Sequence, residues 1–233
     1  MLETFIQLSF YESILHFMQT LTEVIIAAGW RGRVLSETQL ARLLDGSAQR
    51  RYNLVNRALR RGELVRLRRG RYRLAAAVGG TAPHPFVVAQ ALRAGSYVSF
   101  ESALSFHGLI REAVPATLSV VPGRRRDEMS VPGQGSFLFW PLALNPGYFL
   151  EGVGRVVFDG QAALVARPLR ALLDRCCLLR SDWPGVEALL QGLRIDPDGL
   201  AALWDDELEA LRPVYRHRRM CAVIDAMQEA WAV

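Results

Sequence analysis

The sequence predicts an α+β chain of two domains, and three observations carry that reading. One is an arginine-rich stretch, residues 36–74, patterned as helix, turn, helix and hairpin. Another is the small, flexible Ala/Gly/Pro segment over residues 75–85 that follows it. The third is a second half in which short alternating runs are enclosed by helical patterns. Together they place the domains at residues 1–78 and 79–233, and a chain of 233 residues can give each its own core.

Residues 2–29 carry Phe5, Ile6, Tyr11, Ile14, Leu15, Met18, Leu21, Val24 and Ile25, which predict one or two helices. Glu3, Glu12, His16, Gln19 and Glu23 interrupt the run. It is therefore too polar to span a membrane, and it lacks the basic start of a signal peptide. Its later part is the natural first helix of the N-terminal domain. The first dozen residues leave two roles open, a homodimer contact or a cover for the second domain. Gly29 and Gly32 lie around a break before the next element.

Ser36 with Gln39 forms a capping-box start, and Leu40, Leu43 and Leu44 give the apolar spacing of a short helix that stops at Asp45-Gly46. Ser47 caps a second helix. At 3.6 residues per turn, Tyr52, Leu54, Val55, Ala58 and Leu59 fall on its apolar arc, and Gln49, Arg50, Asn53, Asn56, Arg57 and Arg60 on the other. Arg51 lies near the middle of the apolar arc and is expected to clear the core through its place in the first turn. Gly62 ends this helix. Leu64–Leu67 and Tyr72–Leu74 then flank an Arg68-Arg69-Gly70 tip as a hairpin would.

Helix, turn, helix and basic hairpin together predict a winged helix-turn-helix. On its exposed arc, arginine can pair bidentately with guanine edges, and asparagine or glutamine with adenine, in the major groove of double-stranded DNA. Arg68, Arg69 and Arg71 on the hairpin are expected on phosphates or in the adjacent minor groove. The blander alternative is a scaffold with a solvated charged face. Charge distribution favours the DNA reading. Every basic Lys/Arg position in the chain is arginine, and residues 31–73 hold 13 of them against three acids, a net +10, whereas the remainder holds 15 against 20, a net −5. Coding bias alone would not segregate charge in this way.

In the second domain, Phe86–Leu92 predicts an apolar helix, and Ser99 is the expected N-cap of another that carries Glu101 in its first turn and closes at Gly108. Thr117–Val121 and Phe137–Trp140 read as strands. Val156–Phe158 and Gln161–Val165 pair through Asp159-Gly160, a strong hairpin signal. Pro168 begins a helix with one buried stripe, Leu169, Leu172, Leu173 and Cys176, and the rest reads as helical, with Asp196-Pro197 and Pro213 as starts or breaks. No internal repeat is visible.

Candidate chemistry in this half is sparse. Asp205-Asp206-Glu207 diverge around a helix, and Asp196-Pro197-Asp198-Gly199 lacks the later ligands of a calcium loop, so neither is assigned a metal. His16, His84, His107 and His217 are scattered, and Cys176-Cys177 with Cys221 do not make a disulfide framework, which points to the cytoplasm. His107, beside Phe106 and Glu101, reads as a packed histidine before an acid/base group. No catalytic residue, cofactor or enzyme activity is assigned. Arg124, Arg125 and Arg126, following a strand, are candidates to hold phosphate or an acidic partner, with a plain solvated turn as the alternative.

The segment Arg-Arg-Gly-Glu-Leu-Val-Arg-Leu-Arg-Arg-Gly-Arg-Tyr-Arg-Leu (60–74), followed by Tyr-Val-Ser-Phe-Glu-Ser-Ala-Leu-Ser-Phe-His-Gly-Leu-Ile (97–110), resembles the AbiEi-type antitoxins of bacterial abortive-infection systems. Val-Ala-Arg-Pro-Leu-Arg-Ala-Leu-Leu-Asp (165–174) is similar to the family's Ala-x-Pro-Glu-Lys-Ala-Leu-x-Asp segment, with Leu169 in place of the usual Glu. The resemblance covers roughly residues 30–180. It implies a repressor whose N-terminal domain binds inverted repeats at its own promoter. It also implies a C-terminal domain linked to neutralising a nucleotidyltransferase-like toxin without a stable complex. The alternative on the same architecture is an orphan regulator or protein-interaction module without antitoxin activity.

Overall fold

The computed structural model describes residues 20–179, 183–195 and 207–231. Residues 2–19 of the expected N-terminal helical run, Asp196-Pro197-Asp198-Gly199 and Asp205-Asp206, for which expectations were stated, lie outside them. The chain is mixed α+β, and its described residues form two sheets. It divides into two compact units between Pro83 and His84, beyond the boundary expected at residue 78. The segment past 78 stays with the first unit because its backbone is tied there: Gly80 N–H donates to the Ala75 carbonyl at 3.0 Å and Thr81 N–H to the Arg31 carbonyl at 3.1 Å.

In the first unit, α1 (Leu21–Ala27) starts at a capping box in which Thr20 and Glu23 satisfy each other's backbone N–H groups. β1 (Leu35–Ser36) leads directly into α2 (Glu37–Leu43), whose cap is the expected one: Ser36 Oγ accepts from Gln39 N–H at 3.1 Å and Gln39 Oε1 from Ser36 N–H at 2.8 Å. Ser47 caps α3 (Ala48–Arg60), accepting from Arg50 N–H at 3.2 Å. At its far end Gly62 N–H bonds the Leu59 carbonyl and Glu63 N–H the Ala58 carbonyl, with Gly62 at φ +69°. This is a Schellman closure, which needs that left-handed residue. β2 (Leu64–Arg68) and β3 (Arg71–Leu74) follow as an antiparallel hairpin.

β3 is central in a three-stranded antiparallel sheet, with β1 and β2 on its two sides. β1 is too short to show an alternation, and its two residues are visible only as partners of Tyr72 and Arg71. The core joins Leu21 and Ile25 of α1, Leu35, Leu40, Leu44, Ala58 of α3, and Leu64, Tyr72 and Leu74 of the hairpin.

In the second unit, α4 (Pro85–Leu92) is followed by β4 (Tyr97–Val98), α5 (Phe100–Phe106), β5 (Ala116–Val121), β6 (Asp127–Val131), β7 (Gly135–Pro141), β8 (Val153–Phe158), β9 (Gln161–Ala166) and α6 (Pro168–Leu178). Then come α7 (Val186–Leu193), α8 (Glu207–Leu211), a single 3₁₀ turn at Arg212–Val214 that contains Pro213, and α9 (Arg219–Trp231). The six strands are ordered β6-β7-β5-β4-β9-β8. β5 runs parallel to β7 and β4 parallel to β9, and the other neighbours are antiparallel. The Asp159-Gly160 turn joining β8 to β9 has positive φ at both residues, as a two-residue hairpin turn of the matching twist requires.

Three expectations are corrected. Ser99 stands at the N-cap of α5, but its hydroxyl donates to Asp174 Oδ2 at 2.7 Å and accepts no bond from the helix. The strands β4 and β6 were not anticipated: β4 has two residues, and β6 is a polar edge strand whose Asp127, Glu128 and Ser130 mask its alternation. α6 is not buried along one stripe only. Arg170, Ala171, Asp174 and Cys177 are buried as well as Leu169, Leu172, Leu173 and Cys176, because the helix is enclosed on several sides.

Candidate nucleic-acid interface

The buried side of α3 is narrow. Ala58 is its centre, and Leu54, Val55 and Leu59 pack beside it on the core. Everything else on the helix faces outward or sideways. Tyr52, expected on the apolar arc, is 65% exposed. At 100° per residue it lies between Leu59 and Asn56, at the margin where the apolar arc meets the polar one, so its hydrophobicity misplaces it when the arc is drawn wide.

The outer face therefore presents Gln49, Tyr52, Asn53, Asn56, Arg57 and Arg60, of which Asn56 is half-buried and the others except Arg57 flank the same row of the helix. Gln49 Nε2 donates to Asn53 Oδ1 at 3.1 Å, an i,i+4 pair that orients both amides. Tyr52, Asn53, Asn56, Leu59 and Arg60 line one shallow hollow together with Arg66 of β2. Arg66 is a further basic member of this surface. Its signal in the sequence is weak, since a single arginine in an alternating strand reads as the solvent side of a hairpin.

Arg50 and Arg51 behave differently from the rest. Arg50 Nη1 donates to the Asp45 carbonyl at 3.1 Å, and an Arg51 guanidinium N–H bonds the Gly46 carbonyl. Both side chains fold back over the turn between α2 and α3, which is how Arg51 clears the core. Within the hairpin, Arg68 and Arg69 are exposed, and Arg71 is half-buried with Nη1 on the Gly70 carbonyl at 3.0 Å. The tip itself is Arg69-Gly70, one residue tighter than expected because β2 extends to Arg68. Gly70 has φ +72°, and an added Cβ would press on the Glu37 side chain at 3.3 Å, so the tip is seated close against α2. Such an array has the chemistry to offer amide and guanidinium donors from a helix and guanidinium charge from a hairpin.

The second unit separates the arginine triplet. Arg124 and Arg126 border one cleft, while Arg125 is exposed and does not line it. His107 Nε2 lies 2.9 Å from the Ala166 carbonyl, a structural bond between α5 and the end of β9. The burial of Cys176 and Cys177 pushes their thiols up to about 12 and about 11, so both are unreactive at neutral pH.

Residues from the two second-domain segments quoted above meet in the core. Asp174 and Arg170 are both 0% exposed, and Arg170 Nε donates to Asp174 Oδ1 at 2.9 Å. Tyr97 and Ser99 hydroxyls donate to Asp174 Oδ2 at 2.9 and 2.7 Å, and Tyr215 to Oδ1 at 2.8 Å. Arg170 also reaches the Glu151 carbonyl at 2.5 Å and the Tyr97 hydroxyl oxygen at 2.6 Å. Burial, then the Asp174 charge, raises both tyrosines well above their ordinary range. A buried ion pair with this many partners is a structural element that locks β4, α5 and α6 together.

A scan against protein-family models finds no match to the chain, and a search of curated proteins finds none either.

Proposed function

We propose that this protein is a sequence-specific repressor that binds double-stranded DNA, that its first unit is a winged helix-turn-helix, and that it serves as antitoxin and autoregulator in an AbiEi-type toxin–antitoxin operon. The observation that carries the DNA reading is the outer face of α3. It is an exposed row of amides, arginines and a tyrosine beside an arginine-tipped hairpin, in the most basic part of an otherwise acidic chain. In this reading α3 enters the major groove, and the hairpin is the wing over the adjacent backbone. An inverted-repeat operator implies a homodimer on the DNA.

The antitoxin part rests on the resemblance, and the convergence of Tyr97, Ser99, Arg170 and Asp174 gives its two second-domain segments a common structural purpose. Enrichment of duplexes from a random pool by the full chain, followed by footprinting on the region upstream of its own reading frame, tests the repressor. The expected outcome is an enriched inverted repeat that recurs in that region; enrichment without any shared motif rules out sequence-specific repression. Co-expression with an adjoining nucleotidyltransferase-like reading frame tests the antitoxin: growth should be restored only when the second unit is intact.

A further inference from the structure

The cleft bordered by Arg124 and Arg126 has a form that duplex recognition does not explain. It encloses about 1110 Å³, within the second unit alone. Its floor is one face of the sheet, where Leu118 of β5 sits beside Leu138 of β7, and Trp140 follows two residues on. These side chains are only half-buried, whereas Ser119, Phe137 and Phe139 on the opposite face are fully buried. A sheet face that is apolar yet left partly open is a surface for a flat apolar group.

The walls are cationic. Arg124, Arg126, Arg175 and Arg219 line the cleft against the one carboxylate of Glu101, a net +3 from these five side chains. Two of these charges are fixed in place. Arg175 Nε holds Glu101 at 2.7 Å, and Arg219 donates to the Cys177 carbonyl at 2.6 Å and to that of Leu179. The Arg219 partners are neutral, so its charge is held in position without being cancelled. Arg126 lies over Trp140 with its guanidinium carbon 3.8 Å from the ring centroid, and its nearest carboxylate is exposed Glu128 at 3.9 Å. Guanidinium forks bind phosphate oxygens bidentately, and a planar apolar floor takes a heterocyclic base.

The geometry points to a binding site for a free nucleotide, a nucleoside di- or triphosphate, with its base over Leu118 and Leu138, beside the Trp140 ring that Arg126 covers, and its phosphates on the arginine wall. A DNA duplex does not suit this cleft, because it keeps its bases stacked inside and offers only backbone phosphates. The site is separate from the DNA surface, and the two readings fail separately, since mononucleotide binding does not involve α3 or the hairpin.

Calorimetric titration of the full chain with adenosine triphosphate, inorganic triphosphate and a short single-stranded oligonucleotide tests the assignment. Adenosine triphosphate should bind one-to-one, and inorganic triphosphate at least about tenfold more weakly because it leaves the floor uncovered. Replacing both Arg124 and Arg126 with Ala should weaken the nucleotide at least about tenfold. Arg125→Ala removes the same kind of charge from the same loop outside the cleft and should change nothing. Arg68→Ala should also leave nucleotide binding intact. All of these positions are exposed, and thermal melting verifies that the variants fold. The assignment is overturned by absence of saturable nucleotide binding, by equal affinity for inorganic triphosphate, by an Arg125→Ala loss matching that of the double variant, or by binding of the oligonucleotide alone.

Discussion

Removing the Asp174 carboxylate would leave the Arg170 guanidinium in the core without a counter-charge, together with hydroxyls of Tyr97, Ser99 and Tyr215 that now donate to it. Breaking a fully buried pair from one side is costly, so Asp174→Ala should destabilise the second unit by about 3–5 kcal/mol. Urea unfolding followed by the second unit's tryptophans measures it, and a loss below about 1 kcal/mol would mean that water or another group replaces the carboxylate. His84 offers a second test at this scale. Its ring stacks on Phe158 with centroids 3.7 Å apart, and Nδ1 accepts from Phe86 N–H at 3.2 Å, which requires that nitrogen to be unprotonated. Burial lowers its pKa from 6.5, partly opposed by Asp159. The unfolded chain thus binds this proton more tightly. The stabilisation is present above the unfolded pKa and is lost as pH falls through the folded one. Melting temperature should accordingly drop more between about pH 7 and about pH 5 for the native chain than for His84→Phe, which keeps the stack and cannot titrate. Parallel curves for the two proteins would remove His84 from the acid response.

At the scale of the element, α3 and the hairpin carry different work in the proposed interface. Asn53 and Arg57 are one turn apart on the outer side of a helix held at both ends, by Ser47 and by the Gly62 closure. Such residues can reach base edges. Asn53→Ala or Arg57→Ala should therefore cost about 1–3 kcal/mol on the operator and little on scrambled DNA. Arg68 leaves the sheet near its tip, where backbone phosphates would lie. Arg68→Ala should weaken both duplexes alike and reduce the salt dependence by about one unit of slope if it meets one phosphate. Titrations on the two duplexes over a range of salt separate the patterns; equal losses on both for the α3 variants would falsify major-groove reading by this helix. Arg50 is expected to matter less than its place on the polar arc suggests, because it already bonds the Asp45 carbonyl.

For the molecule as a whole, the division between Pro83 and His84 separates a basic unit from an acidic remainder. The first unit has its own core, drawn from α1, α2, α3 and the hairpin. A fragment of residues 1–83 should therefore fold and bind duplex DNA at low salt unaided, as mobility shifts would show. A folded fragment that fails to shift any duplex would transfer the DNA contact to the second unit. Among the described residues no helix is long and apolar enough to cross a membrane.

What the sequence determined by itself was local. The caps of α2 and α3, the Gly62 closure, the Asp159-Gly160 turn and Pro168 at the start of α6 each depend on a residue and its neighbours within one turn, so their signals survive without the fold. The polar arc of α3 was legible for the same reason, through periodicity. Only the tertiary structure decided the rest. β1 and β4 have two residues each and exist because a partner strand lies beside them. Ser99 gives up its helix to a carboxylate 75 residues away. Tyr52 lies at the margin of the apolar arc of α3, and which part of that margin is covered depends on what packs against the helix. Arg124 and Arg126 belong to a cleft while Arg125 between them does not, since that depends on where β5, β7, α6 and α9 bring their side chains together. Pairings across such distances are set by packing of the whole chain, and a window of adjacent residues does not encode them.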